Sequence, residues 1–289
     1  MGLQNSDRAK QPCVEVIAGP MRARILEESG PRIVGLEVEG LGELMGSTDV
    51  VMDGPLGPVP LIGGHRLWSA PESQALTYLP DTGVRVSGVE GGVRVESDDP
   101  RLPFTKTMEV RASGDRLVVD HTLVNASSEA MEVAAWGITM VRPGGRILIP
   151  APRAGLDEHG LQARFALVTW PYTDPNDARL VFDDGGVTVS ATKGDALKVG
   201  AASLVGEVTY VIEDTHFIKR IEPFDPNERY ADLGAVIQTY VGHGFCEIET
   251  VGPLRTLGPG QLVTHREVWE IGSASGSQPI RSSPVAASP

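Results

Sequence analysis

The sequence predicts an all-β chain of antiparallel strands folded as a large sandwich. Short runs in which apolar and polar residues alternate recur from Cys13 almost to the end. The 34 glycines and 22 prolines punctuate those runs, as turns between short strands require. No stretch carries the 3.6-residue period of a long amphipathic helix; residues 41–47 and 71–76 are read as single turns at most.

In chain order, CVEVIA at 13–18, RARILEE at 22–28 and RIVGLEVEG at 32–40 open the series. Further strands are expected near 84–89, 93–96, 104–111, 116–125, 131–141, 146–149 and 186–192. Others follow near 206–213, 215–222, 235–241, 244–251 and 262–271. No internal repeat is present, which disfavours a propeller, and no linker divides the chain. Residues 12–272 are therefore expected to form one domain. The polar residues 1–11 and the Ser/Pro/Ala-rich tail 273–289 are expected to be disordered.

Bulk properties narrow the function. A chain of 289 residues with 41% hydrophobic content can bury a large core. A net charge of −13 opposes binding to nucleic acid or to an anionic membrane surface. No apolar run approaches the roughly 20 residues that span a bilayer, and the first residues lack a signal peptide's apolar core. A cytoplasmic protein is the expectation. The two cysteines, Cys13 and Cys246, exclude a disulfide framework and an all-cysteine metal site. The oligomeric state is left open.

Two stretches carry chemistry. In residues 245–271, alternation places Phe245, Glu247, Glu249 and Val251 on one face and Cys246, Ile248 and Thr250 on the other. The run 263–269 likewise groups His265, Glu267 and Trp269. A carboxylate in mid-strand is either solvent-facing or put to use, because burying it unpaired is costly. Residues 61–72, LIGGHRLWSAPE, follow a Gly-Gly pair with His65, Arg66, Trp68 and Glu72. An aromatic ring beside a histidine, an arginine and a carboxylate suits a sugar, with stacking on its apolar face and hydrogen bonds to its hydroxyls. The same stretch also reads as a turn whose Trp68 plugs the core and whose Arg66 pairs with an acid.

Elsewhere His121 reads as a hydrogen-bonded core residue, His159 as exposed, His216 as structural, and His243 as a residue at the mouth of a site. A metal reading can be assembled from Glu247, Glu249, His265 and Glu267, but their spacing matches no recognised ligand pattern, and no metal is expected. Trp136, Trp170-Pro171-Tyr172, Lys219-Arg220 and Arg229-Tyr230-Ala231-Asp232 are further polar-aromatic clusters, either core or rim. No phosphate-cradling loop or nucleophile elbow is present.

The pattern Glu247-Ile248-Glu249-Thr250, then Pro253, Leu257-Gly258-Pro259-Gly260 and a last run ending His265-Arg266-Glu267-Val268-Trp269, resembles the end of galactose mutarotase-like (aldose 1-epimerase-like) proteins. Gly63-Gly64-His65-Arg66-Leu67-Trp68, followed by Ala70-Pro71-Glu72, resembles a bacterial branch of that superfamily. The resemblance implies a β-supersandwich of antiparallel strands, a cleft for a small-molecule carbohydrate and no cofactor. It implies that Glu249 is the general base, which removes the anomeric hydroxyl proton while an acid protonates the ring oxygen. The epimerases' acid-bearing Asn-His-x-Tyr-Phe stretch corresponds here to Ala135-Trp136-Gly137-Ile138-Thr139-Met140, which has no histidine. The acid then falls to His65, with His243 second. Arg66, Trp68, Glu72, Trp136 and His243 are the expected substrate contacts. The alternatives are a non-catalytic sugar-binding protein, or a lyase or hydrolase using Glu72 or Glu267 as a second carboxylate.

Overall fold

A computed structural model describes residues 11–152, 159, 161–163, 165–242 and 244–273. The expectation of disorder at 1–10 and 274–289, and the candidate His243, lie outside these residues.

Two antiparallel sheets pack face to face. The first runs in the order Cys13–Ala18, Met21–Leu26, Arg32–Val38, His65–Ala70, Met131–Val141, Phe245–Val251, Ile237–Gly242, Leu197–Ala201 and Leu167–Thr169. Gly42–Glu43 and Arg255–Leu257 pair at its margins. The second runs Leu180–Asp183, Gly186–Ser190, Arg146–Pro150, Glu207–Ile212, Thr215–Arg220, Leu262–Ser273, Arg116–Asn125, Phe104–Ser113, Gly92–Ser97 and Val84–Val89. A separate hairpin, Val51–Gly54 with Gly57–Pro60, belongs to neither sheet. Within the described residues the helical content is one 3-10 turn, Asp232–Gly234. No helix there is long and apolar enough to cross a membrane.

The strands expected from alternation are present, with ends shifted by a few residues. Three differences matter. His65–Ala70 is a strand and not a turn, and all of it is buried. Its two faces are both covered, so a period-2 pattern had nothing to mark. Leu197–Ala201 is a further wholly buried strand with no alternation. Residues 41–47 form the Gly42–Glu43 strand and isolated bridges from Met45 and Ser47, in place of a helical turn.

Between the sheets lies the main core, with Leu67, Ala135, Ile248, Leu197 and Val199 from the first sheet meeting Leu117, Val119, Phe217 and Trp269 from the second. The outer face of the first sheet carries a second buried cluster, including Trp68, Trp136, Ile138, Met140, Phe245 and Val251. The central strands are thus covered on both faces. One face makes the inter-sheet core and the other the floor of a cleft.

Gly63 and Gly64 bring the chain into the central sheet. Both have positive φ, at 109° and 69°. A Cβ on Gly64 would stand 2.2 Å from the carbonyl oxygen of Ile33, so only glycine fits without displacing the neighbouring strand.

Candidate active site

Strand alternation decides which side chains meet. In His65–Ala70, Arg66 and Trp68 point to the outer face, so His65 and Leu67 point inward. Register then places Ile138 opposite Arg66 and Trp136 opposite Trp68. Glu249 lies opposite Ile138, and Glu247 opposite both Met140 and Tyr240. Lys198 pairs in register with Tyr240. These neighbours build a cleft of about 300 Å³, floored by Arg66, Trp68, Trp136, Ile138, Lys198, Glu247 and Glu249. Its rim is supplied by Val50, Met52 and Leu61 around the detached hairpin, with Glu72, Tyr78, Tyr172, Tyr240 and Phe245.

Aromatic surface is concentrated here. Two of the four tryptophans and three of the five tyrosines line the cleft. Trp68 meets Tyr78 edge-on at 5.2 Å and Trp136 at 5.8 Å between ring centroids.

Each charged group in the floor is held. The Arg66 guanidinium stacks 4.1 Å above the Trp68 ring and donates to Glu247 Oε1 at 2.9 Å. Lys198 Nζ donates to Glu249 Oε2 at 2.9 Å and sits 4.8 Å from the ring centroids of both Trp136 and Trp170. Trp136 Nε1 donates to the same Glu249 oxygen at 3.1 Å. Glu249 is 1% exposed. Burial pushes its carboxyl above the usual carboxylate range; Lys198 opposes this and Glu247 reinforces it. A buried carboxylate tuned upward is suited to accept a proton near neutral pH. Glu72 is exposed and accepts the Tyr78 hydroxyl.

The expected acid is not in the cleft. His65 is fully buried on the opposite face of the sheet and bonds to Thr139 Oγ1 at 2.9 Å and His121 Nε2 at 2.7 Å. Grouping His65 with Arg66 and Trp68 in one cleft took no account of strand alternation, which sends His65 and Arg66 to opposite faces. The remaining expected contacts, Arg66, Trp68, Glu72 and Trp136, all line the cleft with Glu249.

His65 instead belongs to a polar network between the sheets. His121 Nδ1 donates to the His265 carbonyl at 3.0 Å, leaving its Nε2 to accept from His65. Lys219 Nζ donates to Thr139 Oγ1 at 2.9 Å and pairs with Glu267 Oε1 at 2.8 Å. Thr250 bridges His265 Nε2 at 2.7 Å and Glu267 Oε1 at 2.5 Å. Trp269 Nε1 donates to Glu267 Oε2 at 2.7 Å. With all three histidines neutral, each of these hydrogen bonds has one donor and one acceptor. Burial lowers all three: His265 falls to about 3, His65 lies well below the usual histidine range, and His121 is also depressed. Burial would raise Glu267, but the Lys219 ammonium paired with it holds it well below the usual carboxylate range.

Ligand atoms of His65, His121 and Glu267 lie within 4.8 Å of one another. Their lone pairs and protons are already committed, and an ammonium rests on the carboxylate, so the trio is a satisfied core. The quartet Glu247, Glu249, His265 and Glu267 does not converge, because the first two face the cleft and the last two the inter-sheet space. His159 is exposed and His216 half-buried.

Sequence reasoning missed Lys198, Tyr78, Tyr240 and the rim role of Tyr172. A signal existed for Lys198, a lone cation inside the apolar run LKVGA.

The fold is the galactose mutarotase-like β-supersandwich. A candidate aldose 1-epimerase from Escherichia coli K12 superposes with a TM-score of 0.57 at 12% identity, over 91% of this chain and 99% of that one. A galactose mutarotase-like protein from Lactobacillus casei ATCC 334 gives 0.54 at 12% identity, over 90% of this chain and 100% of that one. A candidate mutarotase from Salmonella typhimurium gives 0.53 at 11% identity, over 93% of this chain and 99% of that one. At this identity the likeness establishes the fold. No protein-family model matches the sequence, and no curated protein matches it.

Proposed function

We propose that this protein binds a small carbohydrate in the aromatic cleft and interconverts its anomers, with Glu249 as general base. One observation carries the reading: Glu249 is buried in the floor of a cleft beside Trp68 and Trp136, with its carboxyl tuned upward by burial. The fold, shared with structures described as aldose 1-epimerase-like or mutarotase-like, supports it. Glu249 takes the proton of the anomeric hydroxyl as the C1–O5 bond breaks, and its electron pair passes to the ring oxygen, which is protonated. The aldehyde rotates about C1–C2, and reclosure by the reverse transfers yields the other anomer. Only protons move, so no cofactor is required. The free thiols of Cys13 and Cys246 suit the reducing cytoplasm in which we place the reaction.

The test is polarimetry or proton NMR of freshly dissolved α-anomers of glucose, galactose and other aldoses. Wild type accelerates equilibration of at least one sugar, and Glu249→Gln lowers that rate by about 10²–10⁴-fold, the span of a lost general base. Equal rates for the two proteins across the panel refute the assignment. A second reading, sugar binding without catalysis, is favoured by one feature: Lys198 and Trp136 already occupy Glu249 Oε2. It requires saturable affinity by calorimetry with no acceleration, and about a tenfold loss of affinity in Trp68→Ala as stacking is removed.

A further inference from the structure

Opening an aldose ring requires a proton for O5 as well as a base for O1–H. With His65 beneath the sheet, no histidine among the described residues lines the cleft. Arg66 cannot supply the proton, because a guanidinium does not deprotonate in a protein. The phenols are poorly suited to the task. Tyr78 is committed to Glu72, while Tyr172 and Tyr240 are shifted upward by burial and by the field of Glu247 and Glu249.

Lys198 remains. A lysine kept for solubility extends its ammonium to water along an apolar stem. Lys198 is 4% exposed, and its ammonium sits over two indole rings, 2.9 Å from the proposed base. Its neighbours in the strand, Leu197 and Val199, point into the inter-sheet core, which fixes the lysine on the cleft side.

We propose that Lys198 is the general acid of this cleft, protonating the ring oxygen of the aldose while Glu249 deprotonates its anomeric hydroxyl. The proposal rests on the epimerase reading above. Proton accounting is closed: Glu249 gains the O1 proton, Lys198 loses one to O5, and the sugar opens to a neutral aldehyde. On reclosure the amine takes the proton back from O5 and the carboxylic acid returns one to O1. The Lys198–Glu249 pair begins as an ion pair and passes through a neutral acid and neutral amine. Its summed charge is zero throughout, so the buried floor never holds an uncompensated charge.

The experiment measures anomer equilibration of α-glucose and α-galactose by wild type, Lys198→Ala and Lys198→Arg. Sugar affinity is followed by calorimetry and folding by thermal midpoint. Lys198→Ala is expected to slow equilibration about 10²–10⁴-fold while affinity changes by less than about tenfold. Lys198→Arg keeps the positive charge beside Glu249, and so the fold, yet stays slow because it cannot give up its proton. Primary amines of graded acidity, each corrected for its protein-free rate, restore the Ala variant to a degree that tracks amine acidity. A purely structural lysine produces no such dependence. Retention of wild-type turnover by Lys198→Arg overturns the inference, as does amine rescue indifferent to acidity. Failure of wild type to accelerate any sugar overturns the epimerase reading and this inference together. An active wild type with an unimpaired Arg variant overturns the inference alone.

Discussion

Lys219→Met should be among the most damaging single substitutions in the molecule, although it lies outside the cleft. Lys219 is 0% exposed, and its ammonium pairs with Glu267, whereas His65, 3.9 Å from the same carboxylate, is neutral. At 2.8 Å and an effective dielectric constant of 20, the gross attraction between the two charges is about 6 kcal/mol. Methionine fills much of the same volume, so the packing loss is small and the electrostatic loss dominates. The variant leaves Glu267 buried with only the Thr250 and Trp269 donors, and an uncompensated buried carboxylate costs about 3–5 kcal/mol. The thermal midpoint should fall by roughly 6–20 °C, at 2–4 °C per kcal/mol for a chain of this size class. The double variant Lys219→Met with Glu267→Gln removes both charges and should recover about half or more of that loss. Urea unfolding of the four proteins closes the cycle. A loss below about 1 kcal/mol in the single variant, or a double variant less stable than the single, refutes the view that this charge pair, formed between neighbouring strands of the second sheet, stabilises the polar network beneath the first.

The same network makes a pH prediction. The folded histidines resist protonation, with His265 at about 3 and His65 and His121 also lowered by burial, whereas unfolded histidines titrate near 6.5. Stability is therefore complete above about pH 6.5 and falls toward pH 3, by up to about 1.4 kcal/mol per pH unit for each histidine. Glu267, held well below its usual range, adds a further loss as pH drops below about 4.3. Urea midpoints that stay level between pH 6.5 and 5 contradict this. Gly64→Ala forces a side chain into a positive-φ position 2.2 Å from the Ile33 carbonyl and should cost about 1–3 kcal/mol by calorimetry. Because Gly64 leads directly into His65–Ala70, the same variant should weaken sugar binding by moving Arg66 and Trp68; unchanged affinity would show that strand to be anchored elsewhere.

Alternation and punctuation were enough to read the solvent-facing strands, because a half-buried strand writes its orientation into every second residue. Phe104–Ser113 and Arg116–Asn125 were legible on that basis. In Phe245–Val251 the same rule separated Glu247 and Glu249 from Cys246, Ile248 and Thr250, and the structure places the two sets on opposite faces. The rule failed for His65–Ala70 and Leu197–Ala201, which are buried throughout. Phe245–Val251 is buried throughout as well but keeps carboxylates at alternate positions on its cleft face, whereas HRLWSA and LKVGA have no such alternation, and those two strands carry Arg66, Trp68 and Lys198.

By itself, then, the sequence determined an antiparallel β-protein, the shared face of Glu247 and Glu249, and the aromatic and charged residues from which a cleft could be built. Tertiary structure alone decided that His65 faces His121 across the core while its neighbour Arg66 faces Glu247 in the cleft. It alone brought Lys198 to Glu249 across 51 residues of chain. The physical reason is common to both. Which face of a buried strand meets which partner is set by sheet order and register, and those depend on contacts between segments far apart in sequence.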